Sequence, residues 1–218
     1  MANAPKHLIF DFGAVVFRWE PLALMQAVLP AHAPDAAAAR ALADRVFKGY
    51  TGAWGGFDAG TISRDELVPA LAEQAGLRAD EVETLIDAIP PHLQPLPATL
   101  ALIDELQAAG HRLFYLSNMP LAFADHLEQH QAAVLQRFED GVFSARVRLA
   151  KPDPAIFTQA LRQFGVAAAD CVFLDDHPAN IEAARALAIG AVLFTDAASA
   201  RPALRGLGVP VAVGPTGV

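Results

Sequence analysis

From residue 97 onward the chain repeats one pattern: a helix-like stretch, a short apolar run, then a polar group. Pro97 to Ala109 carries Leu100, Ile103 and Leu106 at helical spacing, and Gly110 is placed to stop the helix. Arg112-Leu113-Phe114-Tyr115-Leu116 reads as a strand ending at Ser117-Asn118. Asp153 as N-cap and Pro154 at the first helical position predict a helix over 154–164. Cys171-Val172-Phe173-Leu174 is a second buried strand, ending at Asp175-Asp176. A helix over 178–188 then puts Ile181, Ala184 and Leu187 on one face, and Ala191-Val192-Leu193-Phe194 is a further strand. Near the start, Leu8-Ile9-Phe10 is another such run and delivers Asp11 at its end. Strands apolar on both faces, alternating with helices, predict an α/β fold with a parallel sheet covered on both sides.

Between about Glu20 and Pro90 the pattern is different: helical signals follow one another and no strand interrupts them. Ser63-Arg64-Asp65-Glu66 is a capping box that opens a helix to about Ala75, with Gly76 behind it. The glycine-rich stretch from Gly49 to Gly60 lacks the Gly-Lys-Ser/Thr of a phosphate-binding P-loop and reads as a loop. Trp54 and Phe57 within it are candidates to touch a ligand, or simply to pack between helices. Five basic and eleven acidic side chains fall in residues 19–92, so most of the formal net charge of −8 sits there. The expected organisation is one unit from 1–18 and 93–218 and a helical insert over 19–92. The stretch from Val209 reads as an edge strand or a tail.

Charge and composition exclude several functions. A net charge of −8 argues against nucleic acid, which is held through clustered Lys and Arg. No apolar run approaches the ~18 residues of a membrane span. Met1 to His7 runs into only a few apolar residues before Asp11, unlike a secretory signal. The single cysteine, Cys171, excludes an internal disulfide framework and a cysteine-based zinc site. His126 and His130 share a helical face but lack the glutamate spacing of a zinc protease, so they read as solvated. A cytoplasmic protein acting on small molecules is the expectation.

Parallel sheets bind ligands at the carboxyl ends of their strands. The polar groups expected there are Asp11, Ser117-Asn118, Lys151 and Asp175-Asp176. Asp11-Phe12-Gly13-Ala14-Val15-Val16, Leu116-Ser117-Asn118, Lys151-Pro152 and Leu174-Asp175-Asp176 with Asn180 together resemble the four motifs of the haloacid dehalogenase-like (HAD) hydrolase superfamily. The spacing is similar to the subgroup with a helical cap after the first motif. Within it, the chain looks closest to bacterial sugar-phosphate phosphatases typified by α-D-glucose-1-phosphate phosphatase. The resemblance implies a Rossmann-like core under a helical cap, and Mg²⁺-dependent hydrolysis of a small phosphorylated metabolite, such as a sugar 1-phosphate, through an aspartyl-phosphate. It assigns Asp11 as nucleophile and metal ligand, and Asp176 and the Gly13 carbonyl as further ligands. Asp175 would ligate directly or through water. Lys151 would neutralise charge, Ser117 and Asn118 would donate to phosphoryl oxygens, and Asn180 would orient the Asp175-Asp176 carboxylates or Lys151. Three carboxylates at one edge would raise one another's pKa without a cation, which itself argues for the metal.

One position departs from the pattern. Many members carry an aspartate acid–base two residues after the nucleophile, where this chain has Gly13. The acid–base help, typically ~10²–10⁴ in rate, is then unnecessary for a good leaving group or comes from elsewhere. Arg18, Trp19 and Glu20 lie just beyond, with Glu20 a candidate acid if the three do not merely form a hinge; His177, after the paired aspartates, is a weaker candidate. Two alternatives stay open: a 2-haloacid dehalogenase, which also lacks that aspartate but needs neither metal nor a double carboxylate, and a catalytically weak phosphate-binding protein.

Overall fold

In the computed structural model, which describes residues 7–211, the first apolar run forms strand β1 (His7–Phe10). Five helices follow: α1 (Pro21–Val28), α2 (Ala36–Phe47), α3 (Gly52–Asp58), α4 (Arg64–Ala75) and α5 (Ala79–His92). The chain then alternates through α6 (Pro97–Ala108), β2 (Arg112–Ser117), α7 (Leu121–His130), α8 (Ala132–Leu135), β3 (Asp140–Phe143) and α9 (Ser144–Val147). It ends with α10 (Pro154–Phe164), β4 (Cys171–Asp175), α11 (Pro178–Ala186), β5 (Gly190–Leu193) and α12 (Ala197–Gly206). No described helix is long and apolar enough to cross a membrane.

The strands form one parallel sheet in the order β3-β2-β1-β4-β5. Phe10, the last residue of β1, lies opposite Tyr115 on one side and Leu174 on the other. The chain winds outward from β1 in both directions, so β1 marks the switch point where a crevice opens at the strands' carboxyl ends. Residues alternate between two cores, as a sheet covered on both faces requires. Ile9, Phe114, Leu116 and Phe173 pack with Ile156, Phe157 and Ile181 of α10 and α11. Leu8, Phe10, Leu113, Val172 and Leu174 face the opposite core, which continues into the helical insert.

Local cap chemistry sets several helix ends where the sequence places them. Ser63 and Glu66 form both halves of their capping box, and Gly76 closes α4 in the left-handed region. Asp153 accepts a hydrogen bond from the Ala155 N–H at the start of α10. Other expectations need correction. The glycine-rich stretch is no loop: Lys48–Tyr50 forms one 3₁₀ turn and α3 follows directly. A Cβ on Gly55 would lie 2.6 Å from the Tyr50 carbonyl oxygen, so that glycine serves close packing. Strand β3 escaped the sequence reading because only Val142 and Phe143 in it are apolar, beside Asp140 and Gly141. A Cβ there would sit 2.0 Å from the Tyr115 ring, so only glycine lets β3 lie beside β2. The helix expected over 178–188 ends at Ala186, and β5 begins one residue early, at Gly190. Val209–Val211 form no strand, and the rest of that terminal stretch lies outside the described residues.

The insert meets the rest of the chain at its two short crossings, at a seam of α3 on α9, and where α5 packs on α7. Arg18 N–H donates to Gln94 O at 2.8 Å, and Leu96 N–H to Val16 O at 2.9 Å. At the seam, the Ser144 hydroxyl donates to the Asp58 carbonyl and accepts from the Met119 N–H at 2.8 Å. A Cβ on Gly60 would lie 2.7 Å from the Ala145 oxygen, so the end of α3 rests directly on α9. Gly141→Ala, which drives a methyl into the Tyr115 ring, should cost about 1–3 kcal/mol of stability in urea unfolding. The double variant with Tyr115→Leu should recover part of that loss.

Candidate active site

Asp11 extends β1 by one residue, its N–H donating to Leu174 O at 2.9 Å. The loop behind it folds tightly. Val16 and Phe17 N–H groups both donate to Phe12 O, and Ala14 takes a left-handed conformation (φ 57°). Phe12 is wedged among the rings of Phe17, Tyr115, Phe138 and Phe143, and its N–H donates to Asp11 Oδ1 at 2.7 Å. Aromatic packing thus fixes the direction of a carboxylate at the crevice floor.

Lys151 enters from the loop before α10. The Asn118 carboxamide grips its backbone from both sides: Nδ2 donates to Lys151 O at 2.9 Å, and Oδ1 accepts from Lys151 N–H at 2.8 Å. This braces the lysine loop and leaves one Asn118 amide hydrogen for a ligand. The buried ammonium lies 2.9 Å from Asp11 Oδ1 and 2.6 Å from Asp175 Oδ2. Asp175 also accepts from the His177 N–H at 2.8 Å and from Asn180 Nδ2 at 2.9 and 3.1 Å. Its roughly four lone-pair sites are therefore engaged. Asp175 could reach a cation only through water or by releasing one of these bonds.

Electrostatics mark the same residues. Burial pushes the Asp11 carboxyl up to about 7; Lys151 opposes this, while Asp175 and Asp176 add to it. Burial and then Asp175 push Asp176 up to about 6, against Lys151. Burial works against the Lys151 charge, but Asp11 and Asp175 outweigh it and raise its pKa. One carboxylate oxygen from each of Asp11, Asp175 and Asp176 lies within 4.8 Å of the others. This all-oxygen set suits a hard cation such as Mg²⁺. Asp11 and Asp176 could hold it, and Gly13, which lines the same space, could add its backbone carbonyl.

Above these groups lies a cavity of about 360 Å³. Its floor is Asp11, Gly13, Ser117, Asn118, Lys151 and Asp176; its walls are largely apolar, with Trp19, Trp54, Ile89, Leu93, Met119 and Phe123. The structure brings Asp11, Gly13, Ser117, Asn118, Lys151, Asp176 and Asn180 to this one space, with Asp175 buried behind Lys151. Trp54 lines it, whereas Phe57 packs against Trp54 and Phe123 instead. Glu20 is not part of it: the residue is exposed, sits 3.9 Å from Arg18 and lines a separate outer groove. At the mouth, the Tyr50 hydroxyl accepts from Trp19 Nε1 at 2.8 Å and its ring meets His177 edge-on.

Sequence reasoning missed Asp58. This buried carboxyl at the end of α3 lines the cavity from the insert side. Burial pushes it up to about 8; a Trp54 hydrogen bond and Lys151 pull it down, and Asp11 pushes it further up. A signal was present, since Asp58 is the only charged residue between Lys48 and Arg64.

Comparison with known proteins matches residues 8–187 to the family described as haloacid dehalogenase-like hydrolases. A sesquiterpene phosphatase of Aspergillus oryzae is 27% identical over 209 residues, covering 95% of this chain and 98% of that protein. A HAD-like family hydrolase from Porphyromonas gingivalis has the same fold, with a TM-score of 0.70 at 21% identity over 95% of this chain and 100% of that one. A HAD family enzyme from Bacteroides thetaiotaomicron, solved with magnesium and inorganic phosphate, gives 0.66 at 19% identity over 86% and 92%. With an α/β sheet in this order, polar groups at its switch point and a family match over most of its length, the chain belongs to the haloacid dehalogenase-like hydrolases.

Proposed function

We propose that the protein is a Mg²⁺-dependent phosphomonoesterase whose substrate is a small ester of a largely apolar alcohol, cleaved through an aspartyl-phosphate on Asp11. The observation that carries this reading is a buried ammonium held between Asp11 and Asp175, beside Asp176, beneath a mostly apolar cavity. In the chemistry this supports, Asp11 attacks phosphorus in line, aimed by the Phe12 N–H and Lys151. Lys151 presents positive charge to the phosphoryl oxygens, and Asp175, itself oriented by Asn180 and the His177 N–H, keeps that ammonium in place. Ser117, at the end of β2 and lining the cavity, would donate to the same oxygens. Bound at Asp11, Asp176 and the Gly13 carbonyl, Mg²⁺ would neutralise charge that otherwise keeps an anionic carboxylate from an anionic ester.

A sesquiterpene phosphatase as relative and a magnesium–phosphate complex of the same fold both support this reading. The cavity wall favours an apolar alcohol over the sugar 1-phosphate that the subgroup resemblance implies. A sugar would bring hydroxyls against Trp54, Ile89, Leu93 and Phe123, and each one left unpaired costs about 1–3 kcal/mol. Crowded carboxylates beside one ammonium also favour a cation-dependent phosphatase over a dehalogenase, which needs no metal.

Asp11→Asn should reduce turnover to background, and EDTA should silence the wild type. Across a panel assayed with Mg²⁺, prenyl and alkyl phosphates should exceed sugar phosphates in kcat/KM at least about tenfold, the size of a 1.4 kcal/mol difference. The reverse order would overturn the apolar reading, and halide release from a 2-haloacid in EDTA would overturn the phosphatase.

The raised carboxyls predict a pH signature for the metal-free protein. The unfolded chain loses these protons near 3.8, whereas folded Asp176 and Asp11 keep them to about 6 and about 7. The folded state therefore binds more protons across this window, and stability should fall as pH rises from about 4 to 7. Mg²⁺ needs the deprotonated carboxylates, so the rise in Tm that it produces should grow over the same range. Melting curves with and without Mg²⁺ check both trends; a Mg²⁺ effect independent of pH would count against the ligand set.

A further inference from the structure

We propose that Asp58, carried by the helical insert, is the acid that protonates the departing alcohol oxygen and, once ionised, the base that takes a proton from the attacking water. This inference rests on the phosphatase reading and adds the missing half of its chemistry. An aliphatic alcohol leaving phosphorus departs as an alkoxide unless a proton meets it, and such help is typically worth ~10²–10⁴ in rate. The floor of the site cannot supply it. Asp11 must be anionic to attack, and Asp175 is buried with its acceptor sites filled. Lys151 is committed to two carboxylates, Asp176 would be taken up by the cation, and Gly13 has no side chain.

Direction selects Asp58. In an in-line displacement the nucleophile and the leaving oxygen stand on opposite sides of phosphorus. Asp11 attacks from the carboxyl edge of the sheet, so the leaving oxygen points away from the sheet, toward the insert. Asp58 lines that side of the cavity. It is also held from both sides of its backbone. Ser144 holds its carbonyl, Ser144 is itself held by the Met119 N–H, and Gly60 seats the following turn directly on Ala145. Trp54, one helical turn earlier, hydrogen-bonds the carboxyl. Burial keeps its proton on at neutral pH, as a general acid requires. Of the other groups near the mouth, burial makes the Tyr50 phenol a weaker acid than usual. His177 is exposed and turned edge-on to Tyr50.

The two half-reactions balance. First, the Asp11 oxygen bonds to phosphorus, the ester P–O bond breaks, and the Asp58 proton passes to the alkoxide oxygen, giving the alcohol and an Asp58 carboxylate. Then a water oxygen bonds to phosphorus while its proton passes to Asp58. The Asp11–phosphorus bond breaks, releasing inorganic phosphate and restoring both side chains.

The test is single-turnover and steady-state kinetics of the Mg²⁺-loaded wild type and Asp58→Asn on n-hexyl phosphate and p-nitrophenyl phosphate. The first turnover on the hexyl ester should slow ~10²–10⁴-fold, since its alcohol needs the proton. Release of the first p-nitrophenolate should slow far less, because that anion leaves unaided. Later turnovers should then lag as phosphoryl-Asp11 accumulates, visible by mass spectrometry after acid quench. Asp58→Glu should restore part of the hexyl activity. Equal first-turnover losses on both esters would overturn the proposal in favour of a structural role, and so would undiminished hexyl turnover. If Asp58→Asn fails to fold, Asp58→Glu carries the same comparison: a loss confined to the hexyl ester supports the proposal and an equal loss overturns it. A wild type inert toward both esters would overturn the phosphatase reading itself, and Asp58's role with it.

Discussion

A lysine ammonium held out of water between two carboxylates, 2.9 Å from Asp11 and 2.6 Å from Asp175, organises everything around it. Burying such charges costs several kcal/mol each, and their attraction repays this only if the remaining hydrogen-bonding capacity is also filled. Here it is filled in order. Asn118 grips the lysine backbone, Asn180 and the His177 N–H fill Asp175, and the Phe12 N–H takes an Asp11 oxygen. The arrangement spans the ends of β1, β2 and β4 and the loop before α10, so the sheet's switch point and the ion cluster require each other. Loss of either buried carboxylate would leave the ammonium one ion-pair partner and the face of the Phe173 ring, whose centre is 5.2 Å away.

The two sides of the cavity do different work because they come from different parts of the chain. The sheet edge supplies charge in fixed positions, suited to a phosphoryl group whose geometry varies little among esters. The insert supplies Trp54, Ile89 and Asp58, suited to the alcohol portion, which differs from ester to ester. The seam at Ser144 and Gly60 sets the distance between the sides. A site divided this way can change substrate by altering the insert while the ion cluster stays as it is.

Legibility in the sequence followed the range of the causes. Asp11, Ser117, Asp175 and Asp176 could be named in advance because short apolar runs announce strands, and strand ends announce a ligand crevice; Lys151, which follows no such run, was named from the resemblance of Lys151-Pro152 to a family motif. The caps at Ser63, Gly76 and Asp153 are satisfied within a few residues, so those boundaries were readable too. Helix α3 was read as a loop because four glycines between Gly49 and Gly56 outweighed every local signal; contacts with Tyr50 and Ala145 decided otherwise. Strand β3 depends on Gly141 clearing a ring on another strand, and no local pattern carries that. Glu20 attracted attention by standing next to the first motif, yet the chain turns it outward. Asp58 lies far from every motif and reaches the site only through the docking of α3.

The apolar wall links these findings. A largely apolar surface would favour an apolar alcohol over a hydroxyl-rich one. Burial raises the Asp58 pKa to about 8, and apolar surroundings would strengthen the field of Lys151 at the phosphoryl oxygens. A more polar wall would bind a sugar better, but it would also lower the Asp58 pKa toward the ordinary carboxylate value and weaken it as a proton donor at neutral pH. Substrate choice and the supply of the proton are thus two consequences of one physical property. This also explains how a chain with glycine at position 13 can retain acid catalysis: the acid need not stand beside the nucleophile if the insert can present one in an environment dry enough to keep its proton.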